Sequence, residues 1–324
     1  MGFSPFPKAH RKVALVLLIL TLLVSWYIYY RGYVFPVYLH VFHAGSLTAP
    51  FERLAKEFMK TNSRVRIVNE PHGSLEAVRQ VTELHRKSDV IGVSDYTVIK
   101  DLMFPNYADW YIVFARNGMV IVYGEHSKYR DEINENSWYA ILNRSDVSFG
   151  RADPDADPCG YRTLMVWKLA EKHYNNSEIY ESLERRCPLP TRPKESELLT
   201  LIETRQLDYA FLYFSLAVQH QLNYVMLPDE INLGNPDYAS FYAQADVQLS
   251  DGTVKYGEPI MYAVTIPKNA ENKDLAIDFV ELMLSEKGRN ILNECGQPPV
   301  LPARANNRSA VPSALQPYVI DGWN

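Results

Sequence analysis

The hydrophobic pattern divides the chain into one unbroken apolar run and a long alternating remainder. From Val13 to Tyr30 the sequence VALVLLILTLLVSWYIYY carries no charge, long enough to cross a hydrocarbon layer of about 30 Å. Lys8, Arg11 and Lys12 precede it and only Arg31 follows closely. That bias predicts a cytoplasmic N-terminus over 1–12 and a transmembrane signal anchor over 13–30, with Trp26, Tyr27, Tyr29 and Tyr30 as an outer aromatic belt. The run ends in bulky aromatics rather than a small-x-small cleavage pattern, and no cysteine stands at its end to take a lipid. An uncleaved anchor is therefore expected, a cleaved signal peptide being the alternative, and everything after about Arg31 is expected outside the cell membrane.

Beyond the run, strand and helix patterns alternate. Val37 to His43 (VYLHVFH) predicts a strand, then Ala44-Gly45-Ser46-Leu47, then a helix whose Phe51, Leu54, Ala55 and Phe58 share one face. Arg64 to Glu70 predicts a second strand, then His72-Gly73-Ser74-Leu75 and a helix turning Leu75, Val78 and Val81 inward. Two successive strand–Gly-Ser–helix units point to a parallel, doubly wound sheet. A third strand is expected near Asp89–Val93, ending at Ser94-Asp95. Trp110 to Tyr123 (WYIVFARNGMVIVY) is β-forming but too long for one ordinary strand, so it is expected to pass between two lobes. Helices through Tyr161–Leu169 and Leu198–Ile202 and a strand Tyr209–Tyr213 follow. Pro259–Ile266 predicts the return crossing, and helices Asp274–Leu284 and Ser285–Glu294 come before Gly296. The expectation is two α/β lobes, 36–118 with 262–324 and 119–261, hinged at two crossings with a cleft between them.

Composition changes this picture little. Hydrophobic residues make up 47% and charged residues 22%, a globular balance. A net charge of −5 gives no broad basic face for nucleic acid. An anion would have to be held by local donors rather than by the overall field. Cys159, Cys187 and Cys295 show no metal-ligand spacing and allow one disulfide, Cys159–Cys187 being the pairing entertained. Acceptor patterns for glycosylation stand at Asn143, Asn175 and Asn307.

Candidate chemistry sits at strand-to-helix turns. Ser46 and Ser74 each follow a glycine where a helix begins, and the first N–H groups of a helix lack partners and favour an anion. Each serine alone reads as a helix cap; two at equivalent places on one sheet edge favour a shared site. The run Arg151 to Arg162 (RADPDADPCGYR) sets three aspartates before a helix, and Pro193 to Glu197 (PKESE) starts another. By residue type alone both are polar helix termini, which the helix dipole favours anyway.

Taken in order, FHAGSLTAPFERLAKEF, PHGSLEAVRQVTEL, DPCGYRTLMVWKLAE, RPKESELLTLIETRQLDYAFLY, LPDEINLGNPDYASFY and GEPIMYAVTIPKNAENKDLAIDFV resemble the archaeal-type tungstate/molybdate-binding proteins of ABC transporters, the ModA/WtpA family. The resemblance covers about Tyr38 to Pro302. It implies a type II periplasmic-binding-protein fold and a non-enzymatic receptor that needs no cofactor. Its implied ligand is tungstate or molybdate, and its implied partners are a permease and ATPase subunits. It further implies that Ser46, Ser74 and Tyr213 donate hydrogen bonds to the oxyanion, and that Asp157 and Glu195 ligate its metal centre.

The carboxylates set a physical condition. A dianion about 4 Å from one carboxylate is repelled by about 8 kcal/mol at an effective dielectric near 20, as much as a micromolar affinity supplies. Asp157 and Glu195 therefore either bond to a high-valent metal, or are protonated, or lie outside the pocket. Bonding would select molybdate and tungstate over sulfate, whose sulfur does not readily expand to six oxygens. The competing expectations are a receptor for sulfate or phosphate, and a divalent-metal protein or metalloenzyme using His43, His72, Asp157 and Glu195. A serine hydrolase is disfavoured, because neither Gly-Ser lies in a Gly-x-Ser-x-Gly elbow.

Overall fold

A computed structural model describes residues 8–34, 36–193 and 195–322. A helix runs over Lys8–Val34, and its described apolar side chains, from Val13 to Tyr30, are exposed. Among the described residues, however, no helix is long and apolar enough to cross a membrane. The flanking side chains of Lys8, Arg11, Lys12 and Arg31, and that of Tyr29, lie outside the described residues.

Among the described residues the remaining chain forms thirteen strands: β1 Val37–Ala44, β2 Val65–His72, β3 Val90–Val93, β4 Ile112–Arg116, β5 Met119–Tyr123, β6 Phe149–Gly150, β7 Tyr209–Tyr213, β8 Asn223–Met226, β9 Asp246–Gln248, β10 Val254–Tyr256, β11 Met261–Thr265, β12 Pro299–Ala305 and β13 Val319–Asp321. One seven-stranded sheet has the order β13-β12-β4-β11-β3-β1-β2, and a four-stranded sheet has the order β6-β7-β5-β8. Strand β1 lies parallel to β2 and β3. Strand β11 is antiparallel to both β3 and β4, so the sheet is mixed rather than the wholly parallel one expected. The reason is the second passage between sheets: a strand that re-enters from the other sheet arrives from the opposite end.

The alternation of β1 explains how the large sheet is buried on both sides. Leu39 and Val41 point to one face, packing with Phe51, Leu54, Phe58 and Phe279; Phe42 points to the other, with Val78, Val81, Ile91 and Met103. Helices Thr48–Thr61 and Ser74–Thr82 cover these two faces as their apolar spacing requires. Leu75 is a correction: it is 44% exposed, because the helix starts at Ser74 and buries Ala77, Val78 and Val81 instead. A separate core built on Trp138, Trp167, Phe211 and Leu212 surrounds the four-stranded sheet.

The long β-forming run divides into β4 and β5, which belong to different sheets. The two passages between sheets are tied together where Asn117 N–H donates to Ile260 C=O at 2.9 Å. A third segment joins them, since Met119 N–H donates to Asn232 C=O and Ile260 N–H to Leu233 C=O. The helix Phe214–Gln219 closes on the turn after Glu294. There Gly296 adopts φ +73°, and a Cβ would meet Ser215 Cα at 2.8 Å, so only glycine fits.

The entertained Cys159–Cys187 bridge is absent: both thiols are free and buried. Cys159 Sγ faces Phe211 C=O on β7, whereas Cys187 Sγ turns to Leu189 C=O and Thr191.

Candidate functional site

At the ends of β1 and β2 the expected serine turns are present. Ser46 lies in a single 3-10 turn, Gly45–Leu47, where Gln297 Nε2 donates to its carbonyl at 2.6 Å. Ser74 begins its helix behind Gly73, but its hydroxyl accepts from Ser94 N–H at 3.0 Å and pairs with Ser94 Oγ at 2.9 Å. Ser94 directly follows β3, giving three neighbouring parallel strands that each end at or just before a hydroxyl. The sequence reading placed Ser94 at a strand end without giving it a role, because no glycine precedes it.

The acidic side is built from two helix starts. Asp157 is the N-cap of helix Pro158–His173, its Oδ1 accepting from Cys159 N–H at 2.8 Å. Gly160 makes this start possible: a Cβ there would lie 2.4 Å from the Asp153 carbonyl carbon. The other oxygen of Asp157 accepts from Glu195 N–H at 3.0 Å. One carboxylate therefore fastens together the helix starts at Pro158 and Glu195, and the two acids expected together are in contact.

Glu195 is strongly perturbed. Its Oε2 is buried without a hydrogen-bond partner. Burial first, and then the charge of Asp157, push its carboxyl up to about 8, against the pull of Arg162. Glu197, two residues on, is exposed. The Cys159 thiol is pushed up by burial and then by the charges of Glu195 and Asp157.

Arg162 is the cation of this side. It is 7% exposed and donates to Tyr213 Oη at 2.7 Å. Tyr213 ends β7, and a phenol oxygen that accepts from Arg162 keeps its own hydrogen to donate. Burial raises the carboxyl of Glu258, helped by Asp95 and opposed by Arg162. The motif DPCGYR was read without giving Arg162 a role. Its signal was its position five residues after the N-cap, in the second turn of the helix that Asp157 caps.

The histidines of the metalloprotein expectation stand at the ends of β1 and β2, where His72 faces Glu76 at 3.4 Å and Glu70 at 3.8 Å. His43 is fully buried, with Nδ1 against its neighbour's carbonyl at 2.9 Å and its pKa lowered by burial. Among the described residues no group of three or more His, Cys, Asp or Glu is placed to hold a metal ion.

Strand-end hydroxyls from one sheet and a carboxylate pair with an arginine from the other belong to a class of α/β, periplasmic-binding-protein-like molecules. The family profile of bacterial extracellular solute-binding proteins matches residues 39–296, and the chain belongs to that family. An uncharacterized solute-binding protein of Petrotoga mobilis is 47% identical over 290 residues, spanning 88% of this chain and 90% of its own length. The molybdate/tungstate-binding protein WtpA of Pyrococcus abyssi is 44% identical over 292 residues, 80% of this chain and 85% of its own. The fold is that of the Azotobacter vinelandii periplasmic molybdate-binding protein, with a TM-score of 0.56, 16% identity, and 80% and 98% of the two chains covered.

Proposed function

We propose that this protein is the extracytoplasmic receptor of an ABC transporter, capturing tungstate or molybdate and handing it to the permease and ATPase subunits. The single observation that carries this reading is the Glu195 carboxyl, with a buried, partnerless oxygen beside a second carboxylate. A site for a simple dianion would be weakened by two acids, as the Coulomb estimate shows. A site for a high-valent metal centre uses them. Asp157 and Glu195 then coordinate the metal of the bound oxyanion, replacing the desolvated proton-bearing state of Glu195 by a bond. Ser46, Ser74 and Tyr213 donate to its oxygens, and Arg162 offsets the remaining negative charge. Identity with a relative named for molybdate and tungstate supports the same choice.

In this reading residues 36–118 and 262–324 form one lobe and 119–261 the other. Closure is a rocking about the two passages, favoured because the ligand contacts both lobes. The apolar stretch 13–30 of the first helix serves as the single-pass anchor, keeping the receptor at the membrane. No catalytic step or resident cofactor is required.

Calorimetric titration of the full chain with tungstate, molybdate, sulfate, phosphate and zinc, each separately, tests the reading. One-to-one binding of tungstate and molybdate with no sulfate response is expected. Sulfate or phosphate binding would move the assignment to another oxyanion, and a response to zinc alone would overturn it.

A further inference from the structure

We propose that Ser94 is a further donor to the oxyanion, and that Ser74 and Ser94 work as one unit sharing a single hydrogen for it. The inference rests on the oxyanion-receptor reading and adds to it a ligand contact that no Gly-Ser turn marks. The register of the large sheet places the pair. Strands β2 and β3 flank β1 on opposite sides, with Ala44 opposite His72 and His43 opposite Gly92. Carried past the strand ends, that register sets Gly45 level with Gly73 on one side and with Ser94 on the other. The contact between Ser74 and Ser94 thus reaches across the end of β1, where the turn Gly45–Leu47 carries Ser46. Ser74 Oγ accepts from Ser94 N–H at 3.0 Å and stands 2.9 Å from Ser94 Oγ.

A serine hydroxyl has one hydrogen and two lone pairs. The contact between the two oxygens uses one of their two hydrogens, whichever serine gives it, and one is left over. If Ser94 gives, Ser74 accepts twice, from the N–H and the hydroxyl of the same residue, and its own hydrogen is left for the anion. If Ser74 gives, Ser94 holds the remaining hydrogen. Two oxygens 2.9 Å apart can both lie within hydrogen-bond reach of one anion oxygen on their shared side, and the contact between them is only part-buried. The neighbouring acid is engaged in its own turn, Asp95 Oδ1 accepting from Thr97 N–H at 2.9 Å and from Thr97 Oγ at 2.6 Å. The hydroxyl that gives also polarises the one that receives, which strengthens the bond to the anion. Removing either hydroxyl leaves the other hydrogen in place, and removing both takes it away.

The two removals are not equivalent. Without the Ser94 hydroxyl, Ser74 is still held by Ser94 N–H; without Ser74, both donors of Ser94 lose their partner. Calorimetric titration of the full-chain receptor and its variants with sodium tungstate, after a check of fold by circular dichroism, reads the difference. Ser94→Ala alone should weaken binding by less than about threefold, whereas in a Ser74→Ala chain the same change should weaken it by about tenfold or more, the loss of the last hydrogen bond to a charged group. A loss that is equal or smaller in the Ser74→Ala chain overturns the proposal. Equal losses mean that the two serines act independently, and no loss there means that Ser94 acts only through Ser74. Ser94→Cys, close in size and a weak donor, should show the same dependence on Ser74 and decides the matter if the alanine chain does not fold. If the unaltered receptor ignores both tungstate and molybdate, the functional reading fails and takes this inference with it. A tungstate-binding receptor without the larger loss in the Ser74→Ala chain leaves the reading standing and removes only the shared donor.

Discussion

At the ends of the parallel strands β1, β2 and β3 the candidate site consists of neutral hydroxyls: Ser46, Ser74 and Ser94. Across from them, at the starts of helices Pro158–His173 and Glu195–Glu203, it consists of two carboxylates and a buried arginine. Both sides rest on a helix N-terminus, yet they use it oppositely. On the strand side the turn offers donors to whatever arrives. On the helix side the N–H groups of Cys159 and Glu195 are already taken by Asp157, and what remains to offer is carboxylate oxygen. A site with only the first half would hold any tetrahedral oxyanion of suitable size. Under the proposed coordination, the second half narrows the choice to an oxyanion whose central atom accepts further ligands.

The largest expected effect comes from removing that second half. Glu195→Gln keeps the volume and loses the negative oxygen, and tungstate affinity should fall by more than about 100-fold, since even outer-shell partners of a metal are worth 10- to 100-fold. Any weak sulfate binding should be unchanged or improved. Titration calorimetry with both anions compares them, and equal tungstate affinity in the variant would erase the distinction between the two sides.

Arg162 comes next. Replacing a buried cation that lies among acids leaves their charge uncompensated, a change of about 3–5 kcal/mol in comparable pairs. Arg162→Met should lower the thermal stability of the empty receptor, with the loss partly recovered by Glu195→Gln in the same chain. Ser74→Ala should be milder, about tenfold in tungstate affinity, because Ser94 remains beside it.

The smallest effect is on pH. With Glu195 pushed up to about 8 from an ordinary 4.5, the folded chain holds a proton that the unfolded chain has lost between those values. Stability of the empty receptor from this group is therefore full below about pH 4.5 and declines as pH rises toward about 8. Melting curves across that window should show the decline in the unaltered chain and a flatter profile in Glu195→Gln. Parallel profiles would mean that Glu195 is not held neutral.

The strand side was far more legible in the sequence than the helix side. Alternation in Val37–His43 and a 3.6-residue period through Phe51–Phe58 report burial directly, and Gly-Ser at each strand end marks the turn. On the helix side, local pattern gave only polar helix starts. Asp157 and Glu195 are 38 residues apart in sequence, and nothing in either segment records that one caps the other. Resemblance to a family pointed to both acids, but the structure alone shows the buried Arg162 donating to Tyr213 and acting on the charge of Glu195. Mixed sheet order was likewise hidden, because the period of a strand says nothing of its direction. Asn117 fell inside a run legible only as a passage between sheets, since its bond to Ile260 depends on which groups meet across the passages.

The central claim is that two carboxylates bond to the metal of the captured oxyanion. X-ray absorption at the tungsten edge of the tungstate-loaded receptor tests it most directly. The account predicts a centre expanded to six oxygens, which Glu195→Gln fails to reproduce. A centre left tetrahedral, with the four oxygens of free tungstate unchanged, would contradict it.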